Sequence, residues 1–342
     1  MTELIVTNFN RNFTGVSATA AGVVRVQAGR YDMALADVAL PGCPAPVSRA
    51  AARQLSRAPA PGRPFVIWHV RRNPEMRAAL WARDVLRLPV RIVFTSAAQR
   101  RHSAWPRWLI SRMDAVIATT DAAAGYVPHV RAVVPHGVDC DRFAPAPDRA
   151  AAWRASGYPG ARGIATIGRI RPEKGTDRFV AAMIAALPRH PDTTALLIGR
   201  AGPADRAFLD RLKAQVAAAG LSERLLFVGE IGADALCALM PALSLIVQLP
   251  RYEGYGMVPL EGMASGVPFV ATDAGHYAEF SNGGRAGVVT REAAGAVSAL
   301  LDDAGRLDAM ARAARAVAVE RYSVTREADG IGAVYEALWS GR

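Results

Sequence analysis

The chain has 342 residues, 51% of them hydrophobic, and 41 Lys+Arg against 30 Asp+Glu give it a formal net charge of +11. That length is natural for two domains with real cores, and no low-complexity tract suggests a disordered or fibrous chain. Three scattered cysteines, Cys43, Cys140 and Cys237, have neither disulfide nor zinc spacing, which argues against a disulfide-stapled module and a structural zinc site.

Residues 2–7 read as a strand, not as a charged segment followed by an apolar one, so no signal peptide is expected. The longest apolar stretch, 235–249, is interrupted by Pro241, Ser244 and Gln248 and falls short of a spanning helix. A cytoplasmic protein is expected. Its charge is uneven: residues 1–150 carry 20 Arg and 10 Asp+Glu, a net of +10, whereas 151–342 carry 21 Lys+Arg and 20 Asp+Glu, a net of +1. A basic first half implies an anionic partner: nucleic acid, a membrane surface or a phosphorylated substrate.

The first strand, Leu4–Asn8, leads into a polar stretch with Thr14, Gly15 and Ser17, then a helical pattern over 18–26. A glycine among small polar residues after a first strand fits the phosphate-facing loop of an α/β domain. Strands are predicted at 31–40 and 64–70, the latter running into His69-Val70-Arg71-Arg72. At the carboxyl end of a strand these side chains suit a carboxylate or phosphate, and His69 either acid–base work or a structural hydrogen bond. After a strand at 90–95, residues 99–113 interleave Arg100, Arg101 and Arg107 with Trp105 and Trp108. Such a mixture fits a membrane interface, a nucleic-acid face with stacking rings, or a core tryptophan pair with solvated arginines. Pro106 argues against one continuous helix there. A strand at 114–119 precedes the turn around His136-Gly137, and the proline-bearing segment 143–163 reads as a hinge.

The second half begins with a strand at 163–167 followed by Arg169 and, five residues on, Lys174. Two cations so spaced in a strand-to-helix loop can clamp a diphosphate from two directions, and Lys174 is one of only two lysines in the chain. Helices at 177–187 and 204–219 alternate with strands at 194–198 and 225–228, a βαβαβ pattern of a Rossmann-like domain. A buried strand, 243–249, then breaks at Pro250 and reaches Glu253-Gly254-Tyr255-Gly256 before a helix containing Glu261. The unpaired N–H groups at Gly256, Met257 and Val258 suit a phosphate. Glu253 and Glu261 are about 12 Å apart along a helix axis. That is too far for the ~5–5.5 Å carboxylate pair of a retaining glycosidase, so each is assigned its own pair of hydroxyls. A strand at 268–271 and helices at 303–322 and 325–339 complete the chain.

Glu253 to Glu261, with Ala264-Ser265-Gly266-Val267-Pro268 and Gly275, resembles the donor-site signature of the family 4 retaining glycosyltransferases. The resemblance implies a GT-B fold: two Rossmann-like domains with a deep interdomain cleft. It assigns 1–145 to an acceptor-binding domain, 146–162 to a linker and 163–322 to a nucleotide-sugar-binding domain. The final helix, 323–342, would pack back toward the first. It further implies Arg169 and Lys174 on the diphosphate, Glu253 on the sugar, Glu261 on the ribose, Ile231 beside the base, and Gly15, Gly254, Gly256, Met257 and Val258 around the donor. Thr14, His69, Arg71 and Arg72 are the acceptor candidates.

The whole sequence looks most like bacterial lipopolysaccharide-core mannosyltransferases. That implies GDP-mannose as donor, an acidic glycolipid as acceptor and peripheral association with the anionic inner-membrane surface through Arg100, Arg101, Trp105, Arg107 and Trp108. Neither a nucleic-acid partner nor a metal or other cofactor is expected, because two cationic side chains can replace a magnesium ion. The competing readings are a UDP-sugar transferase for another glycolipid or exopolysaccharide, a nucleotide-sugar epimerase, and a GT-B-shaped binding protein without turnover.

Overall fold

The computed structural model describes residues 1–12 and 14–341; Phe13, inside the predicted phosphate-facing loop, and Arg342 lie outside them. The chain divides into two compact units, one formed by 1–137 with the residues from Tyr322 on, the other by Val138–Arg321.

The first unit holds β1 (Leu4–Asn8), β2 (Met33–Asp37), β3 (Val66–Val70), β4 (Val90–Ser96), β5 (Ala115–Ala118) and β6 (Val130–Val133). They form one sheet in the order β2-β1-β3-β4-β5-β6, parallel throughout. All five residues of β1 and of β3 are buried, as expected of strands covered by helices on both faces. Alternate residues divide between two cores. Leu4, Val6, Ile67, Val93 and Ile117 meet Val23 and Val24 of helix Gly15–Gln27 and Ile331 and Tyr335 of helix Val324–Trp339. Ile5, Val66, Trp68, Ile92 and Val116 meet Met76 and Ile110 on the other face.

The second unit holds β7 (Arg162–Ile167), β8 (Thr193–Ile198), β9 (Leu225–Gly229), β10 (Leu243–Gln248), β11 (Phe269–Ala271) and β12 (Gly287–Val289). Their order is β12-β11-β10-β7-β8-β9, again all parallel. After running outward from β7 to β9 the chain returns to place β10 beside β7. The loops leaving β7 and β10 therefore flank the point where strand order reverses, the position at which open α/β sheets bind ligands.

Several predicted boundaries move. The units part at Gly137/Val138, eight residues before the expected domain end, and the expected linker contains helix Arg149–Ala155, capped by Asp148 and burying Trp153. Its Arg149 donates to the Gly266 carbonyl (2.5 Å), which ties this segment to the second unit. Proline content misled the reading here, because Pro145 and Pro147 precede the helix and leave its ladder intact. As expected, 99–113 is not one continuous helix: helix Ala104–Ser111 starts just before Pro106, which stands in its first turn, where its missing N–H costs nothing. The C-terminal helix, Val324–Trp339, is part of the first unit's core, with Tyr335 fully buried.

Candidate active site

The loop after β7 and the loop after β10 are stitched together before any ligand is considered. Arg251, just past β10, donates to both carboxylate oxygens of Asp177 (2.8 and 2.6 Å) and to the Pro172 carbonyl, while its own N–H reaches the Glu173 carbonyl (2.9 Å). Gly175 lies under this seam in the left-handed region (φ +68°); a Cβ there would stand 1.7 Å from the Leu249 carbonyl oxygen. No other residue fits both demands. The seam brings Lys174 Nζ to 2.7 Å from Glu253 Oε2, with both side chains only partly exposed. The other Glu253 oxygen accepts from the Gly254 N–H (2.9 Å). Two residues assigned to the same donor from 79 positions apart are thus in direct contact.

Helix Met257–Ala264 starts from Gly256 at φ +110°, with no side-chain cap among the described residues and no acidic residue in its first turn. Its leading N–H groups are left for another acceptor, and the positive end of the helix adds to the field there. Gly256 is required because a Cβ would fall 2.1 Å from the ring of Tyr277, which is buried beneath it. The Tyr277 hydroxyl is held well above its ordinary pKa by burial and by Glu253, so it stays protonated. Arg169 is exposed on the β7 side, and Ile231 is partly buried just beyond β9. Glu261 lies in the second helical turn, where burial raises its carboxyl to about 7 and Arg142 opposes the rise. Arg142 itself holds Asp234 at 2.7 Å.

In the first unit the residues assigned to the acceptor separate into two kinds. Arg72 joins β1 and β3, donating to Asn8 Oδ1 (3.1 Å), Glu75 Oε1 (3.0 Å), Thr14 Oγ1 (3.3 Å) and Ser17 Oγ (2.9 Å). Helix Gly15–Gln27 begins at this brace; among the described residues no side chain caps it and none lies within 4 Å of a Cβ added at Gly15. Arg71 is different: its Nη1 is buried and finds no hydrogen-bond partner among the described residues. Burial also lowers its pKa, an effect partly offset by Tyr335, Glu327 and Glu75.

His69 does not face a crevice. It is completely buried, with Nε2 2.7 Å from Thr95 Oγ1 and Nδ1 against the Tyr335 hydroxyl. Burial, reinforced by Arg71, lowers its pKa well below the usual histidine value, so it is a neutral core hydrogen-bonder. The expected acid–base or acceptor role is withdrawn. Sequence reasoning also missed Arg251, Asp177 and Tyr277, whose roles depend on contacts between distant loops. The signal available was the position of Arg251 at the carboxyl end of a buried strand.

Two all-parallel six-stranded sheets in Rossmann-like order, the second with Lys174 and Glu253 in contact at its switch point, have the GT-B architecture of glycosyltransferases. The family model for glycosyl transferases group 1 matches residues 157–317. Rhizobium meliloti (strain 1021) lipopolysaccharide core biosynthesis mannosyltransferase LpsB is 42% identical over 98% of this chain and 97% of that protein. Rhizobium leguminosarum bv. viciae LpcC, of the same description, is 40% identical over 98% and 96%. The chain belongs to this family of glycosyltransferases. Among solved structures, Anabaena Alr3699/HepE in complex with UDP and glucose superposes with a TM-score of 0.82 at 17% identity, covering 98% of this chain and all of that one. The C-terminal domain of Francisella tularensis LpcC, a group 1 family protein, gives 0.52 at 32% identity over 55% of this chain and 99% of that one.

Proposed function

We propose that the protein transfers mannose from GDP-mannose, with retention of configuration, to an acidic lipid-linked acceptor of the lipopolysaccharide inner core. The observation that carries this reading is the near-full-length identity of 42% and 40% to two lipopolysaccharide-core mannosyltransferases. Family membership alone gives only glycosyl transfer.

In this reading the donor diphosphate lies against the N–H groups at Gly256, Met257 and Val258, between Arg169 and Lys174. Glu253 holds sugar hydroxyls and Glu261 the ribose diol. The acceptor hydroxyl attacks the anomeric carbon from the face of the leaving group, so a new C–O bond forms as the bond to the diphosphate breaks. The hydroxyl proton passes to the departing phosphate oxygen, and the nucleoside diphosphate leaves as product. Charge developing on that oxygen is met by two cations and fixed backbone dipoles, which act most strongly away from bulk water. Lys174, held by Glu253 at 2.7 Å, is already oriented for this work. Since the cations supply the positive charge, we infer that no divalent metal is needed. On the acceptor side, Arg71 offers to a carboxylate or phosphate a buried N–H that has no partner among the described residues.

The test is a nucleotide-sugar panel read by thermal shift, followed by transfer to deacylated and intact lipopolysaccharide core acceptors. GDP-mannose should give the largest stabilisation, by mass action. Preference for a UDP-sugar, or sugar isomerisation without acceptor, overturns the assignment.

A further inference from the structure

We propose that the second unit carries a further ligand site, outside the donor loops, for a small sugar monophosphate, and that its occupancy opposes donor binding. The site is a hollow of about 960 Å³. Its floor is apolar: Leu249 and Pro250 leaving β10, Ala182 of helix Thr176–Ala186 and Ala293 of helix Ala293–Asp302, all buried. Its rim is charged, with Arg178, Arg251 and Arg291 on it together with Asp273 and Glu292. Lys174, Glu253, Gly256 and Glu261 do not line it, so this cavity is separate from the one assigned to the donor.

Arg251 is held by Asp177 and the Pro172 carbonyl. The other four charged side chains are exposed, and none makes a hydrogen bond or ion pair with a described residue. Two cations and two carboxylates thus share one rim without meeting each other. The cations are also set where electrostatics disfavours them. Arg178 stands in the first turn of one helix and Arg291 two residues ahead of another, at ends where backbone N–H groups already concentrate positive charge. An anion in the hollow relieves both.

The mixed rim narrows the ligand. Guanidinium forks match the oxygens of a phosphate monoester. Carboxylates need donors instead, and sugar hydroxyls satisfy them without adding charge. Thr290 Oγ1 accepts from the Glu292 N–H (3.0 Å), which leaves its own hydroxyl proton for the ligand. Inorganic phosphate has only the first half of this chemistry and a neutral sugar only the second. Arg251 links the hollow to the donor loops, because the same guanidinium that borders it holds the seam setting Lys174 against Glu253. A phosphate that competes with Asp177 for Arg251 loosens that seam. Occupancy therefore weakens the donor, and by linkage the donor weakens the sugar phosphate by the same factor. Only this coupling rests on the transferase reading; the binding itself does not.

The test is calorimetric titration of the full chain with mannose 6-phosphate, inorganic phosphate and mannose, each without donor. Mannose 6-phosphate should bind saturably and at least about tenfold more tightly than phosphate, and mannose should not bind. Arg178→Ser/Arg291→Ser should weaken mannose 6-phosphate about 100-fold. Glu292→Ala should weaken it about tenfold while phosphate binds as before or more tightly. Both variants should keep the wild-type thermal shift with GDP-mannose. In the wild type, saturating mannose 6-phosphate should raise the apparent Kd for GDP-mannose about five- to tenfold, and the reverse titration should give the same factor. Lack of saturable binding, phosphate binding as tightly as the sugar phosphate, or binding unchanged in Arg178→Ser/Arg291→Ser overturns the site. Binding lost in Lys174→Ala overturns it as well, since the ligand then sits in the donor loops. Saturable binding that leaves GDP-mannose affinity unchanged overturns the coupling. Failure of GDP-mannose to bind counts against the donor assignment alone, because the first titrations decide the site without it.

Discussion

If Glu261 binds the donor ribose as a carboxylate, donor affinity must follow its ionisation, and the structure sets where. Burial raises its carboxyl in the free protein to about 7, with Arg142 pulling the other way. The ionised fraction then rises from roughly one-eleventh at pH 6 to ten-elevenths at pH 8, about a tenfold gain in apparent affinity, worth ~1.4 kcal/mol. The sign is fixed because binding favours the charged form: affinity is full above the raised pKa and is lost as pH falls through it. The donor contributes no slope of its own, since a nucleotide-sugar diphosphate is esterified at both ends and keeps a constant charge over this range. Calorimetric titration from pH 6 to 8 is the assay, with Glu261→Gln as control; the variant should bind weakly and without pH dependence. A flat wild-type profile, or an equal slope in Glu261→Gln, refutes the reasoning. Linkage gives a second readout on the free protein. A carboxyl raised from 4.5 to about 7 supports the fold fully below the unfolded value and loses that support as pH climbs to 7. The loss is at most about 3 kcal/mol, less where water reaches the group, and it should vanish in Glu261→Gln.

Lys174→Ala should lower transfer by about 100- to 1,000-fold with the melting temperature little changed; near-wild-type turnover removes its role. Arg251→Ala, which unpicks the seam at Asp177, should cost roughly tenfold in kcat/KM, and Arg251→Lys should not restore it, because an ammonium cannot reproduce the two-point contact. Full rescue by lysine contradicts that account. Glu327→Ala removes the buried acceptor of His136 Nδ1 and the Gly137 N–H, both at 2.7 Å. It should destabilise the first unit by about 2–4 kcal/mol in denaturant unfolding while leaving donor binding in place. Transfer should survive excess EDTA; its loss, with recovery on adding magnesium or manganese, shows that the two cations do not suffice.

The second unit was the more legible in the sequence because its signals are local. Parallel strands buried on both faces leave near-continuous apolar runs such as 243–248, and glycines mark where backbone must pass close to backbone. Helix Arg149–Ala155 was hidden by the prolines around it, and β6 by its alternating burial and short length. His69 shows a different limit. Its place at a strand end matched a ligand group as well as a core one, and the partners that fill both ring nitrogens, Thr95 and Tyr335, lie 26 and 266 positions away. Lys174 and Glu253 were assigned separately from loop position, but their contact depends on Arg251 and Asp177, a pair with no sequence pattern of its own.

The chain leaves the first unit at Gly137 and returns to it at Tyr322. A Cβ on Gly137 would stand 2.5 Å from the Ser323 carbonyl oxygen, so the departing and returning segments touch. During synthesis, then, the 184 residues of Val138–Arg321 form an uninterrupted stretch able to fold as it emerges. Until helix Val324–Trp339 has been made, Val6, Val24 and Ile117 lack the cover of Ile331 and Tyr335. The unit begun first is therefore completed only after the other has been made, and a chain lacking Val324–Trp339 should expose that apolar sheet face.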